Sequence, residues 1–218
     1  LRQRRSQFQK RMFTEPVLKR FPKALVGNYG VNPHDGYRYW YDYFEKLPEG
    51  APVIREHQAT YREWAPEFVS SGYTMSMPVV YTWYPIFDGY PFASSDYRWF
   101  YNMLKTASNA GANTHPDTPS IPFVHWHTTA PPENPSTKVT QFSEKAYQDL
   151  LWHMLLRGHD TFFLWCQQKE LKKEIALVHE VYAKSMLHSE FIQNGTPIDQ
   201  HVPGTNSAVI SGLRLGNK

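Results

Sequence analysis

The 218-residue sequence holds a single cysteine, Cys166. One thiol cannot form an internal disulfide, so a disulfide-stapled scaffold is excluded, although secretion is not. The sequence also has no apolar run approaching the roughly eighteen residues of a membrane-spanning helix. Neither sign of charge dominates: 23 basic against 20 acidic side chains leave a net charge of +3. That is too small and too dispersed for a nucleic-acid binder. Arg2 to Lys10 is polar, so no signal-peptide core opens the chain. The nearby cluster of Arg2, Arg4 and Arg5 reads as a solvated end. No membrane and no nucleic acid are expected as partners.

What is present is a foldable amount of apolar surface. At 41% hydrophobic and 20% charged residues, the chain can offset the entropy of folding, which excludes wholesale disorder. Aromatics are conspicuous, with 7 Trp, 14 Tyr and 13 Phe. Such side chains pack cores, and they also line clefts for sugars, bases or peptides. The 17 prolines imply long, shaped loops.

Four short apolar runs alternate with helical patterns. The runs are Ala24 to Gly30, Met77 to Trp83, Ile121 to His127 and Thr161 to Cys166. Each is rich in β-branched or aromatic residues and bounded by turn formers, as buried parallel strands are. Asp96 is placed to cap a helix over 97–110, and Gly111 to end it. Ser143 can cap the next, with Ala146, Tyr147, Leu150, Leu151, Met154 and Leu155 at helical spacing and Gly158 as the stop. The longest helix is predicted over 169–193, with Ile175, Val178, Val181 and Tyr182 as its apolar stripe. The opening segment, Ser6 to Arg20, is a weaker helix containing Pro16.

Strand–helix–strand alternation predicts an α/β fold with a parallel sheet and right-handed crossovers. A full (β/α)₈ TIM barrel takes about 250 residues, and four βα units already occupy most of this chain. The expected architecture is therefore the second half of a (β/α)₈ barrel over 1–195. A linker and strand over 196–218, including Ala208 to Leu213, would begin a C-terminal β segment. The reading implies a fragment or one chain of a processed protein, with a complementary N-terminal half or self-association completing the barrel. A doubly wound sheet is the alternative, but no Gly-rich phosphate loop follows any run.

In a barrel, function gathers at the carboxyl ends of the strands. Those ends carry Asn28, Tyr29, Asn32, His34 and Asp35, then Tyr81, Trp83, Tyr84 and Asp88, then His125, Trp126 and His127, then Trp165 and Cys166. An aromatic or His recurs at each. A sugar platform of Tyr29, Tyr81, Trp83, Trp126 and Trp165 is expected, with Asn28, His34, His125 and His127 hydrogen-bonding the substrate. His125 and His127 stand two apart, so they share one side of a strand and could also bind a metal. Asp160 should sit at the opposite end. Cys166 as a nucleophile is weighed against an inert buried thiol.

Glycoside hydrolysis needs two carboxyl groups, or one plus substrate assistance. Asp35 and Asp88 are the candidates here, while Glu63, Glu67 and Glu133 fall in loops or loop helices with nothing to mark them. The main acid is expected outside this chain.

These pieces resemble a family. Gly27-Asn28-Tyr29-Gly30, followed by a loop with Pro33, Asp35 and Tyr37, resembles the fifth-strand segment of hyaluronidase-type glycoside hydrolases. Pro78-Val79-Val80-Tyr81 is similar to their sixth-strand motif. Pro122-Phe123-Val124 and Phe163-Leu164-Trp165 are similar to the seventh and eighth. The order holds over roughly residues 20 to 195. The resemblance implies that Tyr29, Tyr81 and Trp165 line a substrate cleft. It also implies cleavage of N-acetylhexosamine bonds with the acetamido group as nucleophile, and an Asp-x-Glu that would precede Leu1. The family's loop cysteine and disulfides are absent.

The leading expectation is part of a glycoside hydrolase acting on a polysaccharide or glycan, with no cofactor; the location is left open, a secreted or extracytoplasmic one being favoured if the substrate is a polysaccharide. A metal-dependent barrel hydrolase using His125 and His127 is one alternative. A non-catalytic glycan-binding or assembly protein is the other.

Overall fold

A computed structural model describes residues 2–29, 68, 70–81, 104, 107–108, 118–126, 143–165, 171–200 and 208–216. The chain opens with α1 (Arg2–Gln9), a π-helical stretch (Lys10–Thr14) and α2 (Glu15–Arg20). The wide turn is closed by the Glu15 N–H donating to the Lys10 carbonyl, five residues back. Pro16 follows directly, in the first turn of α2, where its missing N–H costs little. The inward side of this helix is polar. Ser6, Gln9 and Thr14 are buried. The Thr14 hydroxyl donates to the Ser71 carbonyl at 2.7 Å, and the Ser71 hydroxyl donates to Gln9 Oε1 at 3.1 Å.

Three strands form a parallel sheet in the order β1 (Val79–Tyr81), β2 (Phe123–His125) and β3 (Phe163–Leu164). Val79, Val80 and Tyr81 register with Phe123, Val124 and His125, while Phe123 and Val124 register with Phe163 and Leu164. The second, third and fourth apolar runs thus supply strands. The first run does not. Its Val26 carbonyl accepts from the Thr74 N–H at 2.9 Å, but its own N–H donates to the Thr74 hydroxyl, at 2.8 Å, and not to a backbone carbonyl. A threonine side chain replaces the ladder partner, so residues 24–28 run beside 73–77 without becoming a strand.

Side chains alternate across the sheet. Val80, Val124 and Trp126 enter the main core with Leu104, Ala107, Tyr147, Leu150, Leu151, Met154 and Leu155. This is the helix-covered face. Leu150, Leu151, Met154 and Leu155 come from α3 (Glu144–Leu155), which Ser143 caps by accepting from the Ala146 N–H at 3.2 Å. Leu104, Ala107 and Ser108 are helical, as the 97–110 pattern predicts. Gly158 turns the chain after α3 with φ of +93°, a conformation L side chains rarely adopt.

The long C-terminal helix differs from the expected stripe. It runs as α4 (Leu171–Ser185), a 3₁₀ turn (Met186–His188) and α5 (Ser189–Asn194). Glu174, Leu177, Val181 and Ser185 are buried, whereas Ile175 and Tyr182 are each 45% exposed. Glu174 takes a core position because it has hydrogen-bond partners on the facing elements, while the Ser185 hydroxyl is satisfied within its own helix. Glu174 bonds Trp126 and Tyr147, and Ser185 donates to the Tyr182 carbonyl at 2.8 Å.

The chain then forms an antiparallel pair, β4 (Thr196–Pro197) with β5 (Leu213–Arg214). The approach to β5 is held by buried Arg157. Its guanidinium donates to the Ser211 hydroxyl at 2.7 Å, the Ser108 hydroxyl at 3.0 Å and the Ile210 carbonyl at 3.1 Å.

Candidate functional site: the aromatic sheet face

The sheet face opposite the helices is aromatic. Phe123 and Phe163, neighbours in register, stack with ring centroids 5.0 Å apart. Tyr29 reaches over from the 24–29 run and meets Phe123 edge-on at 5.3 Å. Trp165, just beyond β3, meets Tyr29 at 6.2 Å with an interplanar angle of 61°. Tyr29 is 40% exposed and Trp165 is 47% exposed. Two of the expected platform residues, separated by more than a hundred positions in sequence, therefore form one open aromatic corner near the carboxyl end of the sheet. The Asn28 side-chain amide donates to the Tyr73 hydroxyl at 2.9 Å, which fixes it against the 73–77 segment.

Trp126 belongs elsewhere. Adjacent strand residues point to opposite faces, so His125 and Trp126 cannot serve one surface. Trp126 is 5% exposed and packs at 6.4 Å against Tyr147, with the Lys173 ammonium 5.2 Å from its ring centre. Its ring is part of the helix-covered core and offers no sugar platform. His125 is also buried, so a hydrogen bond from it to a surface ligand requires movement around it. Tyr81 pairs in register with His125.

A carboxyl that sequence inspection passed over sits at this end of β2. Glu174 is buried on α4, and its Oε1 accepts from the Trp126 N–H at 3.0 Å and the Tyr147 hydroxyl at 2.9 Å. Burial pushes its pKa up, against the opposing pull of those two bonds. The only sequence signal was a polar residue at i−3 to Leu177 and i−7 to Val181, on a core-facing line. Glu174 lies between sheet and helices, on the other side from Tyr29 and Trp165, so it anchors the strand end and does not face the aromatic corner.

Comparison of the chain with family models, curated proteins and solved structures finds no match. The site stands on its own geometry.

His34, Asp35, Trp83, Asp88, His127 and Cys166 lie outside the described residues, as do Asn32, Tyr84, Glu63, Glu67 and Glu133. Among the described residues no three His, Cys, Asp or Glu side chains converge as metal ligands. At the other end of the sheet, Asp160 accepts from the Ser120 N–H at 2.9 Å, where its position before β3 puts it. Burial raises its pKa, partly countered by that bond. Next to it, His159 is fully enclosed between Ser120 and Ala107. The Ala107 carbonyl can only accept, so Nε2 carries the proton and Nδ1 accepts from the Ser120 hydroxyl. Burial lowers the His159 pKa to about 4. These two groups hold the amino ends of the strands together.

Proposed function

We propose that this chain is the C-terminal half of a (β/α)₈ glycoside hydrolase acting on a polysaccharide or glycan. The observation that carries the reading is the exposed Tyr29–Trp165 corner on an aromatic face of a parallel sheet. Sugar rings present flat C–H faces that pack on aromatic rings, and two rings inclined at 61° form a wall and a floor for one residue. Phe123 packs edge-on against Tyr29. On this reading the phenol of Tyr29 serves hydroxyl or acetamido recognition at the corner, and the general acid is Asp35, Asp88 or a carboxyl of the other half of the barrel.

Isothermal titration of the complete gene product against neutral and N-acetylhexosamine oligosaccharides tests this, with reducing-end release as the activity assay. Trp165→Ala and Tyr29→Ala are each expected to weaken binding about tenfold or more, equivalent to about 1.4 kcal/mol. Absence of binding and hydrolysis across the panel overturns the reading. Binding that both substitutions abolish, with no turnover of any substrate, identifies a glycan-binding protein instead.

A further inference from the structure

Residues 208–211 lie against α3 without joining a ladder. Among the described residues, the hydrogen bonds that reach them all come from two side chains beside the end of that helix. His153 Nδ1 lies 2.7 Å from the Ser211 hydroxyl, and Arg157 Nε donates to that same oxygen at 2.7 Å. The guanidinium donates again to the Ile210 carbonyl, at 3.1 Å. Val209 packs against the main core, while Ile210 is 68% exposed. Backbone pairing begins only at the next residue. There the Gly212 carbonyl accepts from the Ile198 N–H at 3.0 Å, and β5 then pairs with β4.

The Ser211 hydroxyl dictates the protonation of the His153 ring. A guanidinium only donates, so the oxygen accepts from Arg157 and its single proton is left for His153. Nδ1 must then be bare, with the ring neutral and its proton on Nε2. A proton added at Nδ1 reverses that bond. The oxygen would accept from two cations at once, and the hydroxyl proton would lose its acceptor. An imidazolium would also stand close to the guanidinium of Arg157, which is fully buried.

The surrounding charges compensate such a proton poorly. Burial opposes it most, then Arg157, and Asp149 alone favours it. Asp149 is already paired with Lys145. α4 also packs on α3, but its charges meet the first turns, where Lys173 pairs with Glu144, Glu174 bonds Tyr147 and Glu180 bonds Gln148. Residues 208–216 bring Arg214 and no acid. Asp199, just past β4, acts on Arg157, and Glu190 is the acid of α5, which lies against β5.

We propose that residues 208–211 are an acid-released strap, fastened by His153 while its ring is neutral and let go when the ring takes up a second proton. Release withdraws Ser211 and the Ile210 carbonyl from Arg157 and lifts Val209 from the core, while the β4–β5 pair, which contains no titrating bond, holds the chain beyond it. The folded-state pKa of His153 is lowered, chiefly by burial. The strap is therefore fully fastened above the ordinary histidine value of about 6.5 and loosens as pH falls through the lower folded value. It depends on neither the half-barrel nor the glycan reading.

A nitroxide at Ile210→Cys tests the strap in the complete gene product, with Cys166 and any other thiol replaced by serine. Its electron paramagnetic resonance line shape is followed from pH 7.5 to pH 5, with a label at Leu187→Cys, an 80% exposed position, as the reference. The expected mobile fraction at Ile210→Cys is at least about fivefold larger at pH 5 than at pH 7.5, with the helical circular dichroism and the reference spectrum unchanged. Its midpoint should coincide with the titration of the His153 ring followed by NMR. His153→Gln, whose amide oxygen can still accept from Ser211, should remove the transition. Mobility independent of pH overturns the proposal, as does mobilisation that only tracks loss of helix. An unchanged transition in His153→Gln overturns it too. If the label in His153→Gln is already mobile at pH 7.5, the ring titration of the parent decides: coincident midpoints support the strap and separate ones overturn it.

Discussion

Two buried titratable groups give stability opposite pH dependences. His159 is held neutral, with its pKa lowered to about 4 by burial. A depressed folded-state pKa means that the unfolded chain binds the proton more tightly. The stabilisation is therefore complete above the unfolded value of about 6.5 and is lost as pH falls toward about 4. The gap corresponds to about 3 kcal/mol. Denaturant melts at pH 7 and pH 4.5 should show the loss, and His159→Gln should flatten it. A variant that keeps the full slope would remove His159 as its source.

Glu174 acts with the other sign. Its pKa is raised, chiefly by burial, so its protonated form is favoured in the fold. Its contribution is present at low pH and declines as pH rises through the folded value. Glu174→Gln keeps an oxygen for the Trp126 N–H and the Tyr147 hydroxyl and removes the buried charge. It is expected to stay within about 1 kcal/mol of the parent at pH 7, with the decline abolished. Glu174→Leu strands both donors and should cost about 2–4 kcal/mol. Equal losses in the two variants would show that hydrogen bonding is not what Glu174 supplies.

At the level of elements, α3 was the most legible. A capping serine, an apolar period of 3.6 and a terminal glycine all specify one helix, and the structure places it over Glu144–Leu155. Ser143→Ala should cost about 1 kcal/mol in thermal or chemical unfolding. Gly158→Ala should cost about 1–3 kcal/mol, because it forces φ of +93° on an alanine and sets its Cβ 3.1 Å from Pro197 Cγ. If Gly158→Ala were neutral, the turn would have to have another conformation. α4 was less legible. A sequence stripe ranks Ile175 and Tyr182 above Glu174 for burial, and only the presence of Tyr147 and the Trp126 N–H on the facing elements reverses that order. The Ala24–Gly30 run reads as a strand for the same reason that Ile121–His127 does. The difference lies in Thr74, a residue of another segment, whose hydroxyl takes the place of a ladder carbonyl.

Across the whole molecule, the C-terminal segment is part of the main packing unit. Arg157 ties residues 210–211 to the helical residue Ser108, and the Gln200 side chain donates to the Arg157 carbonyl at 2.8 Å. His153 Nδ1 lies 2.7 Å from the same Ser211 hydroxyl. Arg157→Ala should release 208–216, with a loss of about 3 kcal/mol and faster proteolysis in that segment. Unchanged protection of the segment would shift its anchoring to the β4–β5 pair. The aromatic corner is also a property of the whole. Tyr29 and Trp165 are each visible in sequence as a strand-end aromatic. Their contact, and the separation of Trp126 from them, depend on which face each residue takes.

Local information determined that the last three runs are strands, the capped helix α3, the glycine turn and the placing of Asp160 before its strand, because each follows from neighbours within a few positions. The tertiary structure alone decided the rest. It paired Tyr29 with Trp165, sent Trp126 into the core, buried Glu174 in place of Ile175 and turned the apolar side of the first helix outward. Each of these outcomes depends on a partner far away in sequence, and whether a side chain is buried, satisfied or exposed is set by what the fold brings against it.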